Sequence, residues 1–269
     1  MPKRFITPYG LRKTPLKYVL QWKFSSLFKR RAKNKDDNFK LSVRELQAKD
    51  LETKDDFIVW LGHATFLIQL NGTRILTDPV FGSVPLVPRL AKFPAQIEHL
   101  KPDIICISHG HYDHLDLDSL LAWYEKSYHD SLKITALPTS HWHRRGLFDF
   151  NRALWCSFLI EVEGKSIFFA GDTAMDKHFD EIVQKGYKVD TALMPIGAYI
   201  PENVMKQSHM NPDEALKGAK ILGAKKMIPY HYGTFKLSDE PIGEPHSWIS
   251  RLAEGEEIEI RVVDVGEII

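Results

Sequence analysis

Residues 108–116 read SHGHYDHLD, which puts His109, His111, Asp113 and His114 within six positions, directly after the apolar run Ile104–Ile107. Imidazole and carboxylate are typical zinc donors, and in extended backbone residues two apart point the same way, so His109 and His111 face together. Asp113 and His114 follow where the chain turns toward a predicted helix starting near Leu117. Four such groups at the end of a buried strand are costly unless they share a purpose, and a metal ion is the obvious one. Three further residues obey the same rule of lying just past an apolar run: His141 after ITALPTS, Asp172 after SIFFAG and His231 after KMIPY. That common position places them along one edge of the sheets, where strand ends meet. Seven donors are enough for two ions bridged by one carboxylate.

The elements that must carry these residues are short. FIVWLG, TFLIQL and RILTDP read as strands, with Asn71-Gly72 a hairpin turn between the second and third. DIICIS leads into the histidine loop, LDSLLAWYEK reads as an amphipathic helix and KITALP as a strand. LWCSFLIEVEG and KSIFFAGDT form a predicted hairpin about Gly164; DEIVQKG is a helix ended by Gly186, and DTALMPIG a strand. NPDEALKGAKILG is a helix with Asn211 as N-cap and Pro212 at its first position, and KKMIPYHYG is a strand ending at a histidine. Two mixed halves of this kind predict an α/β sandwich. Residues 1–50 read as a basic leader with no core pattern, and residues 51–269 as the folded domain.

Composition narrows the classes. The 269 residues are 43% hydrophobic and 26% charged, enough for a sizeable core and unlike a disordered chain. No apolar run is long enough to span a bilayer, and MPKRFITPYG lacks a secretory signal, so a cytoplasmic protein is expected. Cys106 and Cys156 sit in apolar runs and read as buried thiols. Residues 1–35 hold eleven Lys and Arg and no acid, although the whole chain is only +1, so the remainder is net acidic. An acidic body argues against a nucleic-acid partner. Within the leader, Leu16, Leu20, Phe24, Leu27 and Phe28 form an apolar stripe interrupted by Lys17 and Lys23. With Trp22 and Tyr18 it predicts peripheral contact with an anionic membrane, at the inner membrane surface; a helix packed on the body is the alternative. Serine-nucleophile, Walker-type and dinucleotide-binding motifs are absent.

H-x-H-x-D-H followed by His141, Asp172 and His231 resembles the metallo-β-lactamase superfamily. More narrowly, WLGHATFLI, LTDPVF, ISHGHYDHLD, TSHWHRRGLFD, FFAGDT, MPIGAY, HMNPDEA and HYGTF, in order from about Trp60 to Phe235, resemble the N-acylphosphatidylethanolamine-hydrolysing phospholipase D family. The resemblance implies an αββα fold, two stacked mixed sheets flanked by helices, with the site between sheet edges. It implies His109, His111 and His141 on a first metal, Asp113, His114 and His231 on a second, and Asp172 bridging both. The ions implied are two zinc, with iron or manganese also suited to these donors. Two such ions, roughly 3.5 to 4 Å apart, lower the pKa of a shared water toward about 7 and make a nucleophile at neutral pH. Asp78 matches an aspartate beneath the site that orients a ligand histidine, and His209 a histidine near the substrate phosphate. His63 belongs to a matching motif, with a core histidine holding the strand turn as the alternative. Arg144 or Arg145 beside His141 is a phosphate clamp or a solvated loop charge.

The implied activity is a dinuclear metal-dependent hydrolase acting on phosphodiesters, with Asp113, Asp172 and His209 in catalytic roles. A phospholipase D-like action on N-acylphosphatidylethanolamine or related glycerophospholipids is the leading expectation. A sugar-phosphate lactonase of the same superfamily, or a membrane-associated module with an inert site, are the alternatives. The chain departs from the family between Asp116 and His141, where one helix and one strand stand in place of a longer insert, and at Ile200, where an acid is expected.

Overall fold

A computed structural model describes residues 4–6, 18, 21, 24, 35–121, 132–146 and 148–269. Leu16, Leu20, Leu27 and Phe28, and with them the membrane contact expected of the leader, lie outside the described residues.

The runs after Phe57 form a meander: β1 (Phe57–Gly62), β2 (Thr65–Leu70) and β3 (Thr73–Thr77) pair antiparallel, and β4 (Ile104–Cys106) adds parallel to β3. Asn71 and Gly72 carry the β2–β3 turn with φ of 46° and 75°, the left-handed conformation that Asn and Gly accept. All six residues of β2 are buried, because the strand packs on both faces. Phe66, Ile68 and Leu70 face the main core, while Leu67 joins Leu46, Leu51, Val59, Leu61, Leu76 and Leu100 in an outer cluster. Alternation therefore shows as a change of partner rather than of polarity.

The second sheet has six strands, ordered β10-β9-β8-β7-β6-β5. β5 (Lys133–Leu137), β6 (Ser157–Val162) and β7 (Lys165–Phe169) are antiparallel neighbours. β7, β8 (Thr191–Pro195), β9 (Lys226–Tyr230) and β10 (Glu259–Ile260) run parallel. The helices are α1 (Leu117–Leu121), α2 (His178–Gln184), α3 (Glu202–Met205), α4 (Pro212–Ile221) and α5 (Glu244–Leu252). The expected helix over LDSLLAWYEK is seen as α1, and residues 122–131 lie outside the described part. α2 and α4 join the main core through Phe179, Ile182, Ala215, Leu216 and Ala219. Full burial of each large apolar side chain contributes about 1.5–3 kcal/mol. α4 starts as predicted: Asn211 Oδ1 accepts from Glu214 N at 2.9 Å, and the Glu214 carboxylate accepts from Asn211 N at 3.2 Å. The result is an α/β sandwich of two mixed sheets flanked by helices.

α5 and β10 had no counterpart in the sequence reading. Residues 35–50, grouped there with the leader, lie against the body: Arg44 N donates to Val265 O at 2.7 Å, Leu46 N to Pro94 O at 2.8 Å, and Leu46 is buried. Both thiols are free; Cys106 is buried, whereas Cys156 is half-buried. Among the described residues no helix is long and apolar enough to cross a membrane.

Candidate metal centre

Strand ends converge at one edge of the sandwich, and each expected donor lies just past one. His63 follows β1, Asp78 follows β3, residues 108–114 follow β4, His141 follows β5, Asp172 follows β7 and His231 follows β9. His63, Asp78 and His231 have φ of 53°, 34° and 67°, left-handed conformations that cost a residue with a Cβ about 1–2 kcal/mol. Such strain persists where the surroundings over-determine it, as they do here. His63 O accepts from both His231 N and the Trp60 indole, and His63 N donates to the Thr234 hydroxyl.

The loop carrying SHGHYDH is shaped by two residues outside the donor set. Gly110 crosses over His143 so closely that a Cβ would lie 2.3 Å from His143 Nε2. Arg145 donates to Gly110 O at 3.0 Å and Leu115 O at 2.6 Å, and its guanidinium covers the Tyr112 ring at 4.1 Å. Its guanidinium thus braces the loop from both ends. Arg144 Nε donates to Gly146 O at 2.8 Å within its own loop.

Two clusters of donor atoms result. In the first, His111 Nδ1 lies 2.8 Å from His109 Nε2 and 3.2 Å from His141 Nε2. His141 Nδ1 donates to Ser208 O at 3.0 Å, so its Nε2 presents a lone pair. His109 Nδ1 meets the Ser108 hydroxyl at 3.0 Å, and that hydroxyl donates to Asp78 Oδ2 at 2.5 Å, so His109 Nε2 is a lone pair too. One proton on His111 cannot satisfy both; a cation satisfies all three nitrogens. In the second cluster His114 Nε2 lies 3.5 Å and His231 Nε2 3.7 Å from Asp113 Oδ2. His63 Nε2 contacts the same Asp113 oxygen at 2.8 Å. Asp172 stands between the clusters, 3.1 Å from His231 Nε2, 3.3 Å from His114 Nε2 and 4.0 Å from His141 Nε2. Donors about 2.0–2.1 Å from a tetrahedral ion are spaced about 3.3 Å apart, and these separations scatter around that value.

Asp78, fully buried, lies beneath both clusters: it accepts from Ser108 N at 2.6 Å, from the Ser108 hydroxyl, and from His114 Nδ1 at 2.7 Å. His209 Nδ1 is 3.7 Å from Asp172 Oδ2, and its ring is edge-on to His141. The donor atoms of His141, Asp172 and His209 lie within 4.8 Å of one another, as do those of His63, Asp113, His114 and His231. The seven expected donors, Asp78, His63 and His209 are thus brought together, whereas both arginines are engaged with loop carbonyls.

Protonation fits a cation site. Burial holds His63 down to about 3 and His111 and His209 down to about 4, and drives His109 and His141 well below the usual range. Those rings are neutral donors. For Asp113 and Asp172 burial acts upward but is outweighed by His114, His231 and their hydrogen bonds, so both carboxyls are held well below the usual range. Burial pulls His114 and His231 down, but Asp172 and Asp113 outweigh it, raising His231 to about 9 and His114 well above its usual range. The carboxylates thus demand positive charge at this point, which a metal ion supplies while leaving the imidazoles neutral. His111 Nε2, His114 Nε2, His231 Nε2 and Asp172 Oδ1 are buried with no hydrogen-bond partner. The donor set, the orphaned atoms and the charge balance all fit one or two transition-metal ions.

The sequence reading missed Ser108 and Gly110, although both stand inside the motif, and it missed the bracing role of Arg145. A serine before the first histidine and a glycine between two histidines were the available signals.

A family model for the beta-lactamase superfamily domain matches residues 73–130 and 121–232. The N-acyl-phosphatidylethanolamine-hydrolyzing phospholipase D, mitochondrial, of Saccharomyces cerevisiae is 39% identical over 241 residues, covering 72% of this chain and 51% of that protein. This chain therefore spans about half the length of that relative. The N-acyl-phosphatidylethanolamine-hydrolyzing phospholipase D 1 of Caenorhabditis elegans is 32% identical over 283 residues, 85% of this chain and 80% of the relative. Among solved structures, a possible metal-dependent hydrolase from Veillonella parvula superposes with a TM-score of 0.62 at 13% identity, covering 81% of this chain and 99% of that one, a likeness of fold. The layered fold, the paired donor clusters and these relatives agree: the chain belongs to the metallo-β-lactamase superfamily and is a metal-dependent hydrolase homologous to the N-acylphosphatidylethanolamine-hydrolysing phospholipase D proteins.

Proposed function

We propose that the protein is a dinuclear phosphodiesterase acting on glycerophospholipids, with N-acylphosphatidylethanolamine as the leading candidate. The observation that carries the dinuclear reading is Asp172, whose carboxylate reaches both donor clusters. His109, His111 and His141 would hold one ion, Asp113, His114 and His231 the other, and Asp172 both; zinc suits this set, and iron and manganese are the competitors. When bound, the ions supply Lewis acidity toward a phosphoryl oxygen and an acidified water as nucleophile.

The chain's own groups do the rest. Asp78 fixes the Nδ1–H tautomers of His114 and, through Ser108, of His109. His63 contacts the Asp113 oxygen and holds that carboxylate in place. His209, neutral and partly open to solvent, is placed to hydrogen-bond a phosphoryl oxygen or pass a proton to the leaving alcohol. Arg145 acts through the loop it braces.

Two observations support a lipid substrate over a small soluble one. The first is the activity for which the two relatives are named. The second is a set of exposed apolar side chains on the loop that follows His141 and on the segment tied to it: Phe148 is 79% exposed, Leu154 63% and Ile6 63%, and Phe5 N donates to Asn151 O. A cytoplasmic protein touching the inner membrane surface fits these exposed apolar residues. The test is a panel of N-acylphosphatidylethanolamine, phosphatidylcholine, a soluble bis-aryl phosphodiester, a sugar-phosphate lactone and a β-lactam, offered to metal-loaded protein. Turnover of phosphodiesters, with the lipid preferred, is expected; lactone turnover without phosphodiester turnover would overturn the reading.

A further inference from the structure

The four-stranded sheet has a second concave site at its other end. A cavity of about 370 Å³ lies between the segment 48–54, the β2–β3 turn and the loop 99–103. The metal centre forms past the C-terminal ends of β3 and β4, whereas this cavity opens where those strands begin, at Arg74 and Asp103. A strand the length of β3 separates the two.

The floor is built rather than incidental. Leu51 and Gln69 are 1% and 2% exposed. The Gln69 amide donates to Thr53 O and Asp55 O, each at 2.8 Å, and its oxygen accepts from Arg74 Nε at 2.9 Å. Arg74 also donates to Leu100 O and Leu51 O. Every one of these acceptors is neutral, and two of the five guanidinium N–H groups remain. A half-buried guanidinium is thus pinned in one orientation with its charge unpaired, as a planar anion receptor requires.

With Arg74 the lining carries three cations and two carboxylates, a net positive charge. Lys54 and Lys101 stand at the rim, and among the described residues neither they nor Arg74 forms an ion pair. His99 Nδ1 is buried with no hydrogen-bond partner. Lys101 holds φ of 43°, a conformation that disfavours any residue with a Cβ. Two carboxylates also line the cavity: Asp103 Oδ2 accepts from Arg74 N at 2.8 Å, and Glu52 is exposed at the rim. We infer that this cavity binds a small phosphomonoester-type anion, with Arg74 as its fixed contact and Lys54, Lys101 and His99 closing around it. The volume is at the lower end of the range for ligand pockets, so a compact phosphorylated molecule or one lipid headgroup fits.

The test is an amide chemical-shift titration of the full-length, metal-loaded protein with inorganic phosphate and with glycerol phosphate, against sodium chloride at matched ionic strength. Saturable shifts confined to residues 51–54, 72–74 and 99–101 are expected, in addition to any at the metal centre. In a Lys54→Glu, Lys101→Glu double variant those shifts should weaken at least about tenfold, the loss of roughly 1.4 kcal/mol of binding. Hydrolysis of a soluble phosphodiester should be unchanged, because neither lysine belongs to the metal centre. A parallel arm sediments both proteins with vesicles carrying phosphatidic acid: lysine-dependent binding there without a response to the free anions identifies a headgroup as the ligand. Absence of lysine-dependent binding in both arms, or shifts reproduced by chloride, would overturn the inference.

Discussion

Asp78→Asn removes a charge while keeping the shape, and its consequence can be worked out atom by atom. Asp78 Oδ1 accepts from Ser108 N, and Oδ2 accepts from the Ser108 hydroxyl and His114 Nδ1. The new amide must present its NH2 at one of these positions. Facing Ser108 N it would oppose a backbone donor that cannot reverse, so the NH2 takes the other side and meets His114 Nδ1. His114 then changes tautomer, and its proton moves to Nε2, the atom facing Asp113 and Asp172. That lone pair is lost to the metal. Hydrogen bonds to charged groups contribute about 1.5–3 kcal/mol each, and loss of a partner behind a ligand histidine lowers metal affinity by about 10–100-fold. The assay is chelator competition on the folded variant, alongside activity at saturating metal. Affinity within about twofold of wild type, with full activity, would refute the tautomer argument.

Gly110→Ala should displace the histidine loop or the His143 ring, since the added Cβ would lie 2.3 Å from His143 Nε2; overpacking of this kind costs about 1–3 kcal/mol, read as a lower Tm and weaker metal binding. His209→Ala should lower kcat with metal content unchanged, because its proposed contact is with substrate; elemental analysis showing lost metal would make it a ligand instead. Metal-stripped protein should lose stability on acidification from pH 6.5 toward 4. His63, His111 and His209 have folded pKa values of about 3, 4 and 4, below the ordinary 6.5, so the unfolded chain binds more protons across that window. Asp113 and Asp172, also depressed, act in the same direction at lower pH, while His231, raised to about 9, contributes in full below 6.5 and loses that contribution only as pH rises toward 9. Thermal melts across pH 4–6.5 measure this, and a Tm that rises on acidification within that window would contradict it.

The donors were legible because each lies in the loop that follows an apolar run, and a strand end is a place where local sequence also fixes a position in the fold. The hairpin at Asn71-Gly72 and the cap at Asn211 were legible for the same reason: their chemistry is local. What was hidden depends on contacts far apart in sequence. Arg145 reads as a free cation until the loop at Gly110 and Leu115 is seen to take its donors. Residues 35–50 carry no periodic pattern because they add a thin layer whose partners, Pro94 and Val265, lie distant in the chain. α5 was legible in principle: Pro245 in its first turn and Trp248, Ile249 and Leu252 at helical spacing were signals that the sequence reading passed over.

The central claim is that Asp172 joins two metal ions in one centre. Elemental analysis of purified protein, reconstituted with zinc and dialysed, should find two ions per chain, and Asp172→Ala, still folded by circular dichroism, should retain neither tightly and lose turnover. One ion or none in the folded wild type, or an Asp172→Ala variant that keeps both ions and full activity, would contradict the account.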